Sequence, residues 1–181
     1  MDYASTHKDI IEKCKKGNRQ AQFELYRLYS KAMYNVCLRM VTNEQDAEDL
    51  LQNSFVDVFT KLHSFRYQSA VGAWIKRIVI NNCINYLKKN RLYIEELDDR
   101  HSDTILDGGV SKSEPPSLSV DKVKLAMGHL PEGYRVVFSL YLFEGYDHKE
   151  IASILDISEA TSKSQYSRAK KKLREIIVST V

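Results

Sequence analysis

Asp147-His-Lys-Glu-Ile-Ala-Ser-Ile-Leu-Asp156-Ile-Ser158-Glu-Ala-Thr-Ser-Lys-Ser-Gln-Tyr-Ser-Arg168-Ala-Lys-Lys-Lys-Leu-Arg174 is the stretch that decides the fold. Asp147, with Glu150 three residues on, forms a capping box for a short helix. Ile151, Ala152 and Leu155 fall on its inward face, and the small Ala152 lets a second helix cross closely. Ile157 fills the turn, and Ser158 caps a second helix that begins small and polar and ends strongly basic. A capped helix, a tight turn and a second capped helix make a helix-turn-helix, whose second helix is built to enter a major groove. Thr161, Lys163, Ser164, Gln165 and Arg168 occupy its exposed early positions, where they can reach base edges and phosphates. By hydrogen-bonding geometry Gln165 suits adenine, and Lys163 or Arg168 suits guanine. Lys170-Lys-Lys172 reads equally as a phosphate contact or as a solvated helix end that favours its own dipole.

Charge is distributed in blocks around this motif. Val58 to Ile94 holds seven basic residues and no acid, whereas Glu95 to Asp121 holds eight acids against two bases. The acidic window also carries Gly108-Gly109, Pro115-Pro116 and no helical periodicity, the marks of a flexible linker. Two basic regions joined by an acidic tether predict two DNA-facing domains, although the whole-chain charge is only +3. The linker's default reading is a soluble spacer.

Upstream of the tether every segment reads as helix. A short one spans Asp9 to Lys16 and ends at Gly17-Asn18. A long one runs from about Arg19 to Met40, with Tyr26, Tyr29, Met33, Cys37 and Met40 at three- or four-residue steps. Thr42-Asn43 offers a cap, and Glu44, Asp46, Glu48 and Asp49 favour the positive end of the next helix. That helix carries Ala47, Leu50, Leu51, Phe55, Val58, Phe59 and Leu62 on one apolar face. A polar-aromatic loop, His63-Ser-Phe-Arg-Tyr-Gln68, precedes a helix from about Val71 to Asn90. Its inner face holds Trp74, Ile75, Ile78, Val79, Ile84 and Leu87. Its outer face shows Lys76, Arg77, Asn81, Asn82, Asn85, Lys88 and Lys89, and Asn offers paired donor and acceptor edges to a base. Trp74 reads as core, as do most tyrosines of this half.

Downstream, a helix near Asp121 to Leu130 stops at Pro131, and another runs from Tyr134 to Phe143 and stops at Glu144-Gly145. With glycine and proline sparse, the fold class is all-α: two small helical domains, a helical bundle and a helix-turn-helix domain, joined by a flexible acidic linker. Cys14, Cys37 and Cys83 sit apart in apolar patterns and read as reduced core thiols of a cytoplasmic protein. No cofactor, metal cluster or nucleophile–base pair is expected, so no enzyme is. No segment reaches the roughly 18–20 apolar residues of a membrane span, so direct membrane insertion is not expected.

Two separated stretches resemble one family. Asp46-Ala-Glu-Asp-Leu-Leu-Gln-Asn-Ser-Phe55, followed by Trp74-Ile-Lys-Arg-Ile78, Asn81 and Leu87-Lys88-Lys89, resembles the second conserved region of bacterial RNA polymerase sigma factors. Leu130-Pro-Glu-Gly-Tyr-Arg-Val-Val-Phe138, Glu144-Gly145, Glu150-Ile-Ala152 and Ile157-Ser158 through Arg168-Ala-Lys-Lys-Lys-Leu-Arg174 resembles the fourth. Having only these two regions is the arrangement of the extracytoplasmic-function (ECF) group. The resemblance covers nearly the whole chain apart from the linker.

The resemblance implies a region 2-like domain over 1–91, a linker over 92–120 and a region 4-like domain over 121–181. It implies core RNA polymerase as partner, through the β′ clamp helices and the β flap, and promoter DNA as ligand. Asp46, Glu48, Asp49, Gln52, Asn53 and Phe55 correspond to the clamp-docking surface; without the resemblance, Asp46, Glu48 and Asp49 read simply as helix-dipole partners. Phe65, Arg66, Tyr67, Lys76, Arg77, Asn81, Asn82 and Asn85 correspond to the part that opens and reads the −10 element. There Phe65 and Tyr67 are suited to stack on bases and Arg66 to hold a phosphate, while Phe65 tucked into the core is the competing reading. Thr161, Lys163, Ser164, Gln165 and Arg168 correspond to the −35 reader. An anti-sigma factor is a further candidate partner, since family members are commonly held inactive by one. The chain departs from the family pattern at Asn85, where Asp is frequent, at Ser162, usually aliphatic, and at Gln165, often Arg. A fourth departure is Ala70-Val-Gly-Ala73, which replaces a Phe-Arg-type entry to the last helix of the basic half.

Overall fold

The computed structural model describes the backbone of residues 7–95 and 120–179, and the side chains of 7–90 and 123–179. Residues 96–119 of the acidic linker lie outside the described residues. All regular structure among the described residues is helical: α1 (Lys8–Lys15), α2 (Arg19–Val41), α3 (Glu44–Lys61), a 3₁₀ turn (Leu62–Ser64), α4 (Val71–Glu95), α5 (Val120–Gly128), α6 (Glu132–Leu142), α7 (His148–Leu155) and α8 (Glu159–Ser179). The expected all-α class is what is observed.

The boundaries follow local chemistry. Asn18 caps α2 by accepting from the Ala21 amide, and Asn43 caps α3 by accepting from the Asp46 amide. Thr42, paired with Asn43 in the sequence reading, instead ends α2 in a left-handed conformation (φ 62). Asp147 and Glu150 complete the capping box reciprocally, at 2.7 and 2.8 Å. Gly145 takes φ 78 between α6 and α7, a conformation that costs glycine no Cβ clash. Gly72 is required for space: a Cβ there would lie 2.7 Å from the Tyr29 ring, which packs over the start of α4. That contact accounts for the glycine within Ala70-Val-Gly-Ala73.

Helices α2, α3 and α4 pack against one another, and α1 closes over α2 and the 3₁₀ turn. Their core contains Leu25, Met40, Phe55, Val58, Leu62, Ile75, Val79 and Ile80, all 3% exposed or less. Helices α5, α6 and α7 pack around α8, over a smaller cluster of Ala126, Met127, Leu130, Phe138, Ala169, Leu173 and Ile177. The three cysteines are buried and unpaired by disulfides. Cys37 and Cys83 share a hydrogen bond, and burial adds to it in pushing the Cys83 thiol up.

The halves are not separate. Val136, Val137, Leu140 and Ile151 join the core of the first half, and α6 lies against α2. The Arg135 guanidinium, 8% exposed, donates to the Met40 carbonyl at 3.2 Å and the Leu130 carbonyl at 2.9 Å. A cation at the negative end of α2 complements its dipole.

Candidate polymerase and nucleic-acid interfaces

Three surfaces carry the residues singled out by sequence. The first is the outer face of α3. Glu48, Asp49, Gln52 and Asn53 are exposed, and so is Val56, at 65%. Asp49, Gln52, Asn53 and Val56 follow helical spacing, so they form one stripe with an apolar centre. The sequence reading missed Val56, although its position one turn beyond Gln52 was the signal. Phe55 is not part of this surface. It is 3% exposed, with its ring edge-on to Tyr26 at 4.7 Å. Asp46 is half-buried and accepts a hydrogen bond from the Tyr86 hydroxyl. It therefore ties α3 to α4.

The second surface is the exposed side of α4 with the loop before it. Arg77, Asn81, Asn85, Lys88 and Lys89 are exposed at steps of about one turn and make a polar stripe without an acid. Two members of the expected face are turned elsewhere. Asn82 donates to Ser54 Oγ at 3.2 Å and to Asp57 Oδ2 at 3.1 Å, joining α4 to α3. These bonds, Asn82 first and Lys61 second, hold the Asp57 carboxyl below its ordinary range. Lys76 reaches across to the second half. Its Nζ lies 3.4 Å from Glu144 Oε2 and donates to the Glu144 carbonyl at 3.2 Å.

In the loop, Phe65 is 4% exposed and packs between Tyr67 (4.9 Å) and Trp74 (5.3 Å). It belongs to the core and cannot stack on a base from this position. Tyr67 is half-buried, and its hydroxyl donates to Glu12 Oε1 at 2.5 Å. Burial, then that bond, pushes its pKa up to about 12. Arg66, between them, is exposed.

The third surface is the start of α8. Ser158 Oγ accepts from the Thr161 amide at 2.9 Å and bonds the Thr161 hydroxyl at 2.7 Å, so Thr161 completes the cap. Lys163 and Ser164 are exposed, and Arg168 is half-exposed. Lys163 is held at 2.7 Å by Glu159 one turn earlier, a solvent-exposed pair. Ser167 and Lys171 share the outward face with Lys163 and Ser164, an extension the sequence reading left out. Gln165 points the other way. It lies against Gly133 at the start of α6 and lines a cavity of about 110 Å³ with Ile84, Leu87 and Lys88 of α4. Ser162, where an aliphatic residue was the norm, is fully buried and hydrogen-bonded to His148 Nδ1 at 2.9 Å. His148 stacks on Tyr141 at 4.6 Å and meets Tyr166 edge-on at 5.6 Å. A polar residue at 162 is therefore satisfied by a histidine on α7 that an aliphatic would leave unpaired.

No group of acidic, His and Cys side chains able to hold a metal occurs among the described residues. No described helix is long and apolar enough to cross a membrane.

Comparison with known proteins matches residues 25–93 to Sigma-70 region 2 and residues 121–173 to Sigma-70, region 4. The chain is 30% identical over 158 residues to the ECF RNA polymerase sigma factor SigM of Bacillus subtilis, covering 84% of this chain and 93% of that protein. It is 27% identical over 177 residues to SigW of the same organism, covering 93% and 95%. The ECF RNA polymerase sigma-E factor of Escherichia coli K12 is 28% identical over 179 residues, covering 94% and 93%. Among solved structures, the sigma factor RpoE in complex with the anti-sigma factor NepR from Bartonella quintana aligns with TM-score 0.57 at 23% identity, over 85% of this chain and 94% of that one. CnrH in complex with the cytosolic domain of CnrY aligns with TM-score 0.54 at 20% identity, over 95% and 97%.

Proposed function

The chain belongs to the ECF RNA polymerase sigma factors, and from that membership we propose a division of labour among its three surfaces. As a member it directs RNA polymerase to specific promoters for transcription initiation. The finer reading assigns residues 1–91 to core binding and the −10 element, 92–120 to a tether, and 121–181 to the −35 element. The α3 stripe of Glu48, Asp49, Gln52, Asn53 and Val56 docks on the polymerase, with a small apolar centre inside a polar rim. Arg77, Asn81 and Asn85, with Arg66 from the loop, meet the −10 strand. Lys163, Ser164 and Arg168 meet the −35 duplex.

This work needs no covalent step, so the subunit is read as non-catalytic. Opening a promoter costs unstacking, about a few kcal/mol per extruded base. Arg and Lys offset part of that cost through phosphate contacts that weaken as salt rises. Asn side chains present a donor and an acceptor together, which a phosphate does not need and a base edge does. An anti-sigma factor, the kind of partner held by RpoE in its complex, is read as competing for the α3 stripe. The site of action is read as the cytoplasm, where RNA polymerase works.

The observation that carries this reading is the acid-free exposed stripe Arg77–Asn81–Asn85–Lys88, with Arg66 also exposed in the loop that precedes α4. Run-off transcription with core polymerase on a promoter library is the test. Alanine at Asn81 and Asn85 is expected to lower output from cognate promoters and relax −10 base preference, with polymerase binding intact. Alanine at Lys163 and Arg168 is expected to weaken −35 dependence alone. Loss of polymerase binding from either set would sink the assignment.

A further inference from the structure

Helix α1 has no part in the surfaces above and precedes the region 2 match, yet it holds the loop between α3 and α4 at four points. The Tyr67 hydroxyl donates to Glu12 Oε1 at 2.5 Å. Lys15 Nζ donates to the Phe65 carbonyl at 3.2 Å, lies 3.1 Å from Glu12 Oε1, and stands 4.8 Å from the centre of the Tyr67 ring. Lys8 faces the same ring at 5.8 Å. Tyr67 itself has φ 59, a left-handed backbone that a bulky residue adopts only where its surroundings over-determine it. Here they act together: a charge-assisted hydrogen bond at the hydroxyl, two cations facing the ring and the edge of Phe65 at 4.9 Å hold it.

The consequence falls on the residue between. Phe65 is anchored in the core and Tyr67 on α1, so Arg66 is thrown outward between two fixed aromatic residues.

We propose that Glu12 and Lys15 are positioning residues for promoter opening: through Tyr67 they fix the loop so that Arg66 meets the displaced −10 strand. The proposal rests on the assignment of this loop to the −10 element. It adds a determinant of opening outside both matched regions. A displaced strand is flexible, and an arginine that must first find its geometry captures it more slowly than one already held. Protonation does not release the clamp near neutral pH, because the hydrogen bond keeps the Glu12 carboxyl below its usual range and Tyr67 stays a donor.

The test uses the full chain bound to core polymerase. Opening is followed by permanganate reactivity of unpaired thymines, and core binding is measured separately. Arg66→Ala reports on the loop assignment. Glu12→Ala and Tyr67→Phe report on the clamp, and each is expected to slow opening by about tenfold with core binding unchanged. The double variant is expected to be no slower than either single one, because both remove the same bond. Glu12→Gln, which keeps an acceptor for the hydroxyl, is expected to recover most of the rate. If Arg66→Ala opens normally, the loop assignment falls and the proposal with it. If Arg66→Ala is slow while Glu12→Ala and Tyr67→Phe open normally, the clamp alone is overturned. Additive defects, or a parallel loss of core binding that Glu12→Gln does not recover, reduce α1 to a structural helix and also overturn it.

Discussion

The two halves of this molecule support the helices proposed as their DNA readers, α4 and α8, in different ways. Helix α4 lies on a large core to which α2, α3 and even α6 contribute. Helix α8 lies on a small cluster of seven buried side chains, supplemented by the aromatic group of Tyr141, His148 and Tyr166. A helix that reads closed duplex needs only its exposed face and its angle to the groove. One that meets a displaced strand must hold scattered polar groups in a geometry the strand does not supply, and a rigid base serves that need. Under the proposed division of labour the larger core stands under the half with the harder task, and the smaller core borrows from it through Val136, Val137, Leu140 and Ile151.

The strongest way to break that comparison is to cut each core separately. Leu140→Ala removes a fully buried side chain at the seam and is expected to cost about 3 kcal/mol. Leu173→Ala, in the small cluster, is expected to cost about 2 kcal/mol because a shallower site relaxes more easily. Trp74, the single tryptophan, reports on the first half. Its fluorescence midpoint in urea is expected to fall with Leu140→Ala and hardly to move with Leu173→Ala. Equal shifts would mean the chain unfolds as one unit.

Next in size is the ionic part of the seam. The Glu144 side chain is 5% exposed and holds Arg39 at 2.5 Å and Lys76 at 3.4 Å, both from the first half. Glu144→Ala strands two cations that are each about a quarter exposed. Breaking a buried pair is costly, but water reaches both cations, so about 2 kcal/mol is expected. Small-angle scattering is expected to show a larger radius of gyration for this variant, and an unchanged radius would show that apolar packing alone holds the halves together.

A third change tests the aromatic group in the small half. Ser162→Leu installs an aliphatic residue but overfills a fully buried site and leaves His148 without its bond. A loss of about 1–3 kcal/mol is expected, read as a lower thermal midpoint for the second half. A stabilised variant would mean the site has room that the burial denies.

The smallest effect is a pH dependence confined to the first half. Asp57 has a folded pKa below its ordinary 3.8, chiefly through Asn82. A depressed carboxylate adds stability above its unfolded pKa and loses it as pH falls through the folded value. Asn82→Ala is therefore expected to shrink the stability gained between acid and neutral pH, with little change in the acid-denatured baseline. A pH profile identical to that of the parent chain would remove Asn82 as the cause.

Much of this was legible from local pattern. The capping box at Asp147 and Glu150, the caps at Asn43 and Ser158, and the inward stripe of α3 depend on residues within one turn of each other. Helix α4 ran past its expected end at Asn90 to Glu95, because no glycine or proline stands there to stop it. The site was less legible, since polar residues at helical spacing look alike until their partners are placed. Asn81 and Asn82 are neighbours in sequence, yet one faces solvent and the other bonds Ser54 and Asp57. Phe65 and Arg66 are neighbours too, one in the core and the other exposed.

By itself the sequence determined the helices, their caps, the helix-turn-helix and the two family regions, because each is written in contacts a few residues long. Only the tertiary structure decided that α1 grips Tyr67, that Glu144 joins the halves, that Gln165 turns to the seam and that Ser162 answers His148. Those pairings span from 14 residues in the His148–Ser162 bond to 105 in the Arg39–Glu144 pair. At such distances along the chain no periodicity links the partners, and only packing brings them together.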